Sequence, residues 1–315
     1  MKKNNILIIK HGALGDIVLS GAAIKAIRNF HKKDNIYCLT TKTYCELMEE
    51  SPWFDEVIVD EKPKWNNISG WLCLRSTLQK LNFSRIYDLQ TSNRSNLYFY
   101  LFFFMKSVQW SGIAYGCTFR HNNSLRKKMH TYDRQKDQLS VCGLRNISPP
   151  DWKWLLDKNK KPNIVKDKYA LIISGSAAHR KNKIWPKESY AELVKVLKNL
   201  GISSVFIGLE GEKTIIDEII SNSEDSSIKK SINLVGKTSF KDIAFLAKSA
   251  QFVIGNDTGP IHLAASCEAK VVVLFGAGSN PKLCAPIGEN VTIMYKEDIK
   301  NILVNDVLDQ IKKFL

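Results

Sequence analysis

The sequence predicts an α/β protein with two facing Rossmann-like domains, each built on a parallel sheet. Two observations predict this class. Short apolar runs alternate with stretches of helical spacing along most of the chain, which is the pattern of repeated βαβ units. A spacer rich in Pro and Lys at 148–162 interrupts this alternation, which then starts again. We therefore expect an N-terminal domain at residues 1–155 and a C-terminal domain at residues 156–315.

The N-terminal half contains apolar strands that alternate with helices. Residues 112–132 lose this periodicity and accumulate Arg, Lys and His, so we predict a mobile basic loop there. Residues 97–105 are apolar on all sides, and such a helix is either fully buried or touches something apolar such as lipid. The predicted strands are 6–10, 36–40, 57–59, 86–89 and about 108–110, and the predicted helices are 17–30, 44–50, 69–81, 93–105 and 133–144.

The C-terminal half repeats the alternation and ends in an amphipathic helix. Because ligands of open α/β sheets bind beyond the carboxyl ends of the strands, functional residues are expected in the loops that follow the strands. The predicted strands are 169–174, 203–207, 232–235, 252–254 and 271–275, and the predicted helices are 187–200, 212–223, 240–249, 260–266 and 303–315.

Composition and charge narrow the class of protein. With 44% hydrophobic and 24% charged residues, the 315-residue chain has an ordinary globular composition. Its formal net charge is +15, and residues 1–160 hold 25 Lys and Arg against 14 Asp and Glu. A basic surface suits nucleic acid, anionic lipid or a phosphorylated substrate, although a Lys-rich genome would also produce it. No helix-turn-helix, RNA-reading motif or zinc spacing supports nucleic-acid binding.

The N-terminal sequence and the cysteines indicate the compartment. The first residues lead directly into an apolar strand, without the apolar core and cleavage site of a signal peptide. No apolar run reaches about 18 residues, the length of a membrane-spanning helix. Seven cysteines occur without a CxxC pair, which favours reduced thiols over disulfides or a zinc site. We expect a cytoplasmic protein that does not span the membrane.

The loop 255–259 lies between a predicted strand and a predicted helix and suits an anion. It contains two glycines, and Pro260 follows in the first helical turn, where its missing N–H is not needed. Free N–H groups at the positive end of a helix dipole favour a phosphate, and glycine lets a ligand approach the backbone. We assign Asp257 to neutral hydroxyls such as those of a sugar. Alternatively, Asn256, Asp257 and Thr258 supply only turn and N-cap hydrogen bonds.

The first strand is followed by a second candidate loop, 11–16. Its glycines do not form the GxGxxG fingerprint of dinucleotide-binding proteins, so a nicotinamide enzyme is not expected. The loop instead offers Asp16, a carboxylate at the start of a helix and at the carboxyl edge of the predicted sheet. The alternative role of Asp16 is that of an ordinary N-cap.

Five segments, taken together in their order and spacing, resemble glycosyltransferase family 9, the bacterial heptosyltransferases that build the lipopolysaccharide inner core. The resemblance implies the glycosyltransferase B architecture, with the acceptor on the N-terminal half and the nucleotide sugar on the C-terminal half. It implies an inverting transfer of heptose from ADP-heptose to a lipopolysaccharide inner-core or related glycan acceptor. The segments are 6–16, 183–186, 205–210, 234–238 and 255–265.

The resemblance also implies roles for individual residues. Asp16 matches the general base that takes the proton of the acceptor hydroxyl. Lys183 and the N–H groups at Thr258 and Gly259 are expected to stabilise the departing nucleoside diphosphate, although by itself Lys183 would be read as a solvated surface lysine. No metal or other cofactor is implied beyond the nucleotide sugar. The expected donor-binding residues are Ser174, Ser176, Gly208, Glu210, Asp257, Thr258, Gly259 and His262, and the expected acceptor-binding residues are Lys10, His11, Arg120, Arg126, Lys127 and Lys128.

The chain departs from the family pattern in loops 173–177 and 277–281, which both border the expected donor site. Another nucleotide sugar, or an epimerase of the same fold, is therefore an alternative. A sugar-binding module without activity and a basic nucleic-acid-binding protein are alternatives from other classes. The aromatic segment and the basic loop both lie in the acceptor half. Together they predict an anionic glycolipid acceptor and peripheral contact with the cytoplasmic face of the inner membrane.

Overall fold

The computed structural model describes residues 3–104, 106–156, 165, 167–175, 183–223 and 231–315. The chain forms two compact units, Met1–Pro150 and Asp151–Leu315, called here the N-terminal and C-terminal units. Residues 151–155, which we expected at the end of the first domain, lie in the second unit. The reason is the fully buried Trp152, whose backbone N–H donates to the carbonyl oxygen of Ser266 at 3.1 Å.

The N-terminal unit alternates strands and helices as the apolar pattern predicts. Two elements were not predicted. One is a short strand inside the expected mobile loop, and the other is a π-helical turn at Phe99–Phe103 that continues the preceding helix. In chain order the elements are β1 (Asn5–Ile9), α1 (Leu14–Phe30), β2 (Asn35–Thr40), α2 (Lys42–Glu49), β3 (Glu56–Val59), α3 (Ile68–Lys80), β4 (Phe83–Asp88), α4 (Asn93–Tyr98), β5 (Gln109–Gly112), β6 (Phe119–Arg120) and α5 (Thr131–Ser140).

One six-stranded sheet organises the N-terminal unit, with strands in the order β3-β2-β1-β4-β5-β6. The neighbouring strands are parallel, so the loops that follow them meet at one edge, called here the carboxyl edge. The central strand β1 ends at Ile9, which pairs with Asp88 at the end of β4. The loop from β1 to α1, which leads to Asp16 in the first turn of α1, therefore lies beside the end of β4.

The apolar segment 97–105 has two different faces. Tyr98, Phe99, Phe102 and Phe103 are buried in the core of the N-terminal unit, whereas Tyr100, Leu101 and Phe104 are exposed. The prediction of full burial is therefore wrong, and the alternative, an aromatic-rich face in contact with lipid, stays a prediction. The buried and exposed residues alternate with helical spacing through the π-helical turn.

The C-terminal unit repeats the same architecture. A strand near the C-terminus and a four-residue helix before it were not predicted, and the last helix is shorter than predicted. The elements are β7 (Tyr169–Ile173), α6 (Lys187–Asn199), β8 (Ser203–Phe206), α7 (Lys213–Ser223), β9 (Ile232–Asn233), α8 (Phe240–Ser249), β10 (Phe252–Asn256), α9 (Gly259–Ser266), β11 (Val271–Phe275), α10 (Pro281–Cys284), β12 (Val291–Tyr295) and α11 (Val304–Ile311).

The second six-stranded sheet has the order β12-β11-β10-β7-β8-β9, with parallel neighbours. β10 and β7 are central, and both are completely buried. Gly255 allows these two strands to approach, because a Cβ atom at this position would overlap the carbonyl oxygen of Ile173. The loops that follow β7 and β10 therefore lie side by side at the carboxyl edge of the C-terminal sheet.

Candidate active site

Asp16 lies in the first turn of α1, at the carboxyl edge of the N-terminal sheet. The N-cap residue of α1 is Ala13, so the alternative interpretation of Asp16 as the helix cap is wrong. The Asp16 side chain is half-buried, and no donor within the described residues forms a hydrogen bond with its carboxylate. This carboxylate is therefore available to a substrate hydroxyl.

Lys10 ends the first strand beside Asp16 and is only 4% exposed. Burial lowers the pKa of the Lys10 ammonium, the Asp16 carboxylate opposes that shift, and the Arg134 guanidinium adds to it. Arg134 lies on α5, which is anchored to this edge because Gln138 Nε2 donates to the carbonyl oxygen of Asp88 at 2.9 Å. Sequence reasoning missed Arg134, because a helical arginine carries no motif.

His11 is held in place from the neighbouring strands. Its Nε2 lies 2.9 Å from Asp60 Oδ2, just after β3, and Tyr98 Oη donates to the same oxygen at 2.5 Å. Burial would raise the pKa of the Asp60 carboxyl, but its contacts with His11 and Tyr98 outweigh burial and lower it. The His11 backbone N–H also donates to Gln90 Oε1 at 3.0 Å. His11 is thus a fixed part of the loop that leads into α1, where Asp16 lies.

Arg126 is anchored within the segment that we predicted to be a mobile loop. Its Nη2 donates to Thr91 Oγ1, and its Nε donates to His121 Nδ1 at 3.2 Å. His121 is buried, and its Nε2 lies 2.7 Å from Asp137 Oδ2. Burial lowers the pKa of the Arg126 guanidinium, and the nearby Arg134 lowers it further. Two cations therefore lie close together at the carboxyl edge, on the side of β4.

The other basic residues expected to bind the acceptor lie at the surface. The Arg120 guanidinium lies 5.1 Å from the centre of the Tyr115 ring, which is a cation–π contact. Lys127 and Lys128 are exposed and belong to a short 3-10 turn at Arg126–Lys128. The structure therefore separates the expected acceptor residues into an edge group near Asp16 and a surface group.

The C-terminal unit brings three donor-site residues into direct contact. Lys183 Nζ donates to Asp257 Oδ2 at 2.7 Å, and His262 Nε2 lies 3.3 Å from Asp257 Oδ1. All three side chains are buried, so the interpretation of Lys183 as a solvated surface lysine is wrong. Burial would raise the pKa of the Asp257 carboxyl, but the contacts with His262 and Lys183 outweigh burial and lower it to about 2.

Asn256 is the residue that positions this group. Its Oδ1 accepts hydrogen bonds from the Trp185 backbone N–H at 3.0 Å and from Tyr190 Oη at 3.2 Å. Its Nδ2 donates to the carbonyl oxygens of Ser174 at 2.7 Å and Gly175 at 3.3 Å. One fully buried amide therefore joins the segment that carries Lys183 to the loops after β7 and β10.

The start of α9 has the expected form. Thr258 is the N-cap residue, Gly259 begins the helix, and Pro260 stands in the first turn. Thr258 does not cap through its side chain, so the N-cap hydrogen bond that the alternative interpretation gave to this residue is not formed. Polar atoms in this region are buried without a hydrogen-bond partner in the described part of the chain. They are Ser174 Oγ, Thr258 Oγ1 and His262 Nδ1.

The remaining expected donor residues follow β8. A Cβ atom at Gly208 or at Gly175 would meet the carboxylate of Glu212, whereas the carboxylate of Glu210 lies against Gly236 beside β9. Glu212, which the sequence interpretation missed, therefore lies between the loops after β7 and β8, nearer to the Asn256 group than Glu210. No sequence signal marks Glu212, because the two glycines that face it are far apart in the chain. Ser176 lies outside the described residues.

The described residues offer neither a metal site nor a membrane-spanning helix. No group of three or more His, Cys, Asp or Glu side chains there could hold a metal ion. No helix there is long and apolar enough to cross a membrane.

Comparison with known proteins gives the family. A sequence model described as glycosyltransferase family 9 (heptosyltransferase) matches residues 71–304. The chain belongs to glycosyltransferase family 9. The predicted family and the predicted enzyme class, a glycosyltransferase, are thereby confirmed. Membership of this family disfavours the epimerase, the sugar-binding module and the nucleic-acid-binding protein.

The alignments with individual relatives cover most of this family 9 chain. The chain is 24% identical over 310 residues to lipopolysaccharide heptosyltransferase 1 of Campylobacter coli. This alignment covers 86% of the chain and 84% of that relative. Superposition on the structure of E. coli heptosyltransferase WaaC with ADP gives a TM-score of 0.82 at 18% identity. The matched region covers 99% of this chain and 100% of that one. The same enzyme with ADP-2-deoxy-2-fluoro heptose has a TM-score of 0.80, again at 18% identity with 99% and 100% covered.

These structural likenesses concern the fold. At 18% identity they confirm the predicted glycosyltransferase B fold class for this family 9 chain.

Proposed function

We propose that this family 9 enzyme transfers heptose from ADP-heptose, with inversion, to a lipopolysaccharide inner-core or related glycan acceptor. The names of its relatives support the sugar and the acceptor, since one is a lipopolysaccharide heptosyltransferase and another was solved with ADP. The buried group formed by Lys183, Asp257 and His262 at the start of α9 is the observation that carries the proposal. It supplies a cation, a carboxylate and a helix N-terminus at one carboxyl edge.

Asp16 acts as the general base on the acceptor side. As the acceptor oxygen attacks the anomeric carbon, its proton passes to the Asp16 carboxylate, which no described residue engages by a hydrogen bond. The ammonium of Lys10 lies near enough to interact with that carboxylate electrostatically.

Lys183 and α9 act on the donor side. The bond between the anomeric carbon and the diphosphate breaks as the new glycosidic bond forms, and the electron pair leaves with the diphosphate. Lys183 and the N–H groups at Thr258 and Gly259 stabilise this developing charge. In other transferases a metal ion has this role, and here the lysine and the helix dipole are proposed to fill it without a further cofactor.

Asp257 and the unpartnered polar atoms around it bind the sugar. When Lys183 turns to the diphosphate, the Asp257 carboxylate becomes available to accept hydrogen bonds from sugar hydroxyls. His262 Nδ1 and Thr258 Oγ1 are buried without a partner in the described chain, and a bound donor would satisfy them. Glu212 and Gly208, after β8, are proposed to contact the nucleoside.

The acceptor is proposed to be an anionic glycolipid on the cytoplasmic side of the inner membrane. Lys10, Arg126 and Arg134 lie at the carboxyl edge with Asp16, and the pKa of Lys10 and that of Arg126 are both lowered first by burial and then by Arg134. An anionic group on the acceptor would relieve this repulsion between cations. Nucleic acid is not proposed as a partner.

Calorimetric titration with ADP, UDP and GDP, followed by a transfer assay with ADP-heptose, tests the proposal. We expect ADP to bind more tightly than the other two nucleotides, and heptose to be transferred to a purified inner-core acceptor. Tighter binding of UDP or GDP would overturn the assignment of the donor. Binding of ADP without any transfer to the acceptor would overturn the assignment of the reaction partner.

A further inference from the structure

The N-terminal unit exposes a cluster of large apolar side chains, Tyr100, Leu101, Phe104 and Tyr115, called here the aromatic patch. Tyr115 is 74% exposed and Phe104 is 51% exposed. The rings of Tyr100 and Phe104 lie 6.0 Å apart, and the Tyr115 backbone N–H donates to Tyr100 Oη at 2.9 Å. These contacts join Tyr100, Phe104 and Tyr115, and Leu101, 46% exposed, follows Tyr100 directly in the same turn.

The aromatic patch is firmly supported from below. Phe99 and Phe103, in the same π-helical turn, are buried, and their rings lie 5.3 Å and 5.7 Å from the Trp110 ring. Trp110 lies on β5 and is fully buried. The exposure of Tyr100 and Phe104 is therefore a fixed property of this fold, because their neighbours in the turn are held by the core.

All charged residues in the part of the sequence that forms the aromatic patch are basic. Between Asp88 and Asp133 the sequence contains six Lys or Arg and no Asp or Glu. Arg120 lies over the Tyr115 ring, and Lys106 is exposed just after Phe104. A surface that combines exposed aromatic rings with charge of one sign is complementary to an apolar layer bordered by anions.

The aromatic patch lies in the same unit as the proposed acceptor site. β6, which ends at Arg120, is three strand positions from β1 in the same sheet, and both strands end at the carboxyl edge. With about 4.8 Å between neighbouring strands, β6 and β1 are about 14 Å apart. Arg120, which lies over the Tyr115 ring, is therefore at the same edge of the sheet as Asp16.

We propose that the aromatic patch docks the N-terminal unit onto an anionic lipid bilayer. Tyr100 and Tyr115, whose rings have a polar end, would lie at the level of the headgroups, and Phe104 would lie among the upper acyl chains. Arg120 and Lys106 would contact the anionic headgroups. The link to catalysis rests on the proposed function, but the docking itself does not.

Sedimentation of the full chain with vesicles free of acceptor tests the docking independently of the reaction. The vesicles are phosphatidylcholine with or without phosphatidylglycerol, at low and high salt. We expect binding only with phosphatidylglycerol, and loss of binding at high salt because of screening. Replacing Leu101→Ser and Phe104→Ser together should weaken binding at least about tenfold, and Arg120→Ser should weaken it about fivefold.

The matched control removes equally exposed apolar side chains from the C-terminal unit, by Ile293→Ser with Leu303→Ser. This variant should bind vesicles like the unmodified chain, and all variants should keep their ADP affinity. Equal vesicle binding by the Leu101/Phe104 variant and the unmodified chain would overturn the proposal. So would binding that does not require phosphatidylglycerol. If sedimentation velocity shows a dimer that only the aromatic-patch variant loses, a second copy of the chain covers the patch and the proposal is wrong.

Discussion

Lys183 Nζ lies 2.7 Å from Asp257 Oδ2, and both side chains are more than nine-tenths buried. The lysine proposed to bind the diphosphate is therefore paired with a carboxylate in this structure. Donor binding replaces one anion with another around a buried cation, which costs less than moving a lysine from water into the site. Asp257 thus keeps Lys183 in place and oriented until the donor arrives.

Replacing Lys183 by Ala should weaken ADP binding and slow transfer together. The charge acts on the diphosphate in both the ground state and the transition state, so we expect a loss of about 2–3 kcal/mol. Calorimetry with ADP and a transfer assay measure the two effects. Lys187→Ala is the matched control, because Lys187 is an exposed lysine on α6 paired with Glu218. Unchanged ADP affinity in Lys183→Ala would remove Lys183 from the donor site.

Stability should depend on pH through Asp257. The pKa of this carboxyl falls from 3.8 to about 2 on folding, so the ionised form is stabilised in the folded chain. The stabilisation, about 2 kcal/mol, is present above pH 4 and is lost as the pH falls towards 2. Urea unfolding should therefore show a stability gap between the unmodified chain and Asp257→Asn at pH 7 that narrows by pH 3. A gap of equal size at both pH values would contradict this, and Asp306→Asn is the exposed control.

Replacing Asn256 by Ala should lower both stability and ADP affinity. The amide makes four hydrogen bonds in a fully buried position, so we expect a loss of about 2–4 kcal/mol in the free energy of unfolding. The affinity should fall because the Trp185 segment, and Lys183 with it, loses its anchor. Chemical unfolding and calorimetry measure these changes, with the exposed Asn301→Ala as control. Normal ADP binding by a folded Asn256→Ala chain would show that other contacts position Lys183.

Asp16→Asn should lower turnover about 100-fold or more, because the amide cannot accept the hydroxyl proton. The fold and ADP affinity should not change, since no described residue donates a hydrogen bond to the Asp16 carboxylate. A transfer assay at saturating donor measures the effect. Asp133→Asn, at an exposed acid in the first turn of α5, is the matched control. Turnover near that of the unmodified enzyme would show that Asp16 is not the base.

Replacing Lys127 and Lys128 together by Ser should raise the KM for the acceptor and leave ADP affinity unchanged. Both lysines are exposed, so their attraction to an anionic acceptor is screened beyond about 8 Å at physiological ionic strength. The difference from the unmodified enzyme should therefore shrink at high salt. Arg126 is retained because its bonds to Thr91 and His121 are part of the fold. Lys312→Ser with Lys313→Ser is the control, and an equal effect there would mean that net charge alone is responsible.

Local sequence pattern predicted most of the fold, because strands and helices in this chain are set by apolar periodicity. The loop 255–259 and the position of Pro260 in α9 were also predictable, since glycine and proline act on the backbone directly. β6 was not predicted, because a two-residue strand has no period of its own. β12 was missed although its sequence, Val-Thr-Ile-Met-Tyr, consists largely of residues that favour strands.

The contacts of the site could not be predicted, because they join residues far apart in the chain. Asn256 was interpreted as a turn residue, and only the fold shows that its amide reaches Trp185 and Ser174. Arg126 was assigned to a mobile loop, since its buried partner His121 lies in a stretch without periodicity. The roles of Asp16 and Lys183 came from the resemblance to a family, and the geometry is consistent with both roles without testing them.

The amide of Asn256 bonds mainly to backbone groups, namely the Trp185 N–H and the Ser174 and Gly175 carbonyl oxygens. Backbone groups are the same whatever side chain they carry. Ser174, just after β7, can therefore change its side chain during evolution without losing its hydrogen bond to Asn256, whereas Gly175 is fixed because a Cβ atom there would meet the Glu212 carboxylate. Ser174 belongs to one of the two loops that depart from the family pattern, so new sugar preferences can arise there by side-chain replacement. The sugar that the enzyme accepts can then change during evolution while the backbone around the donor site stays the same.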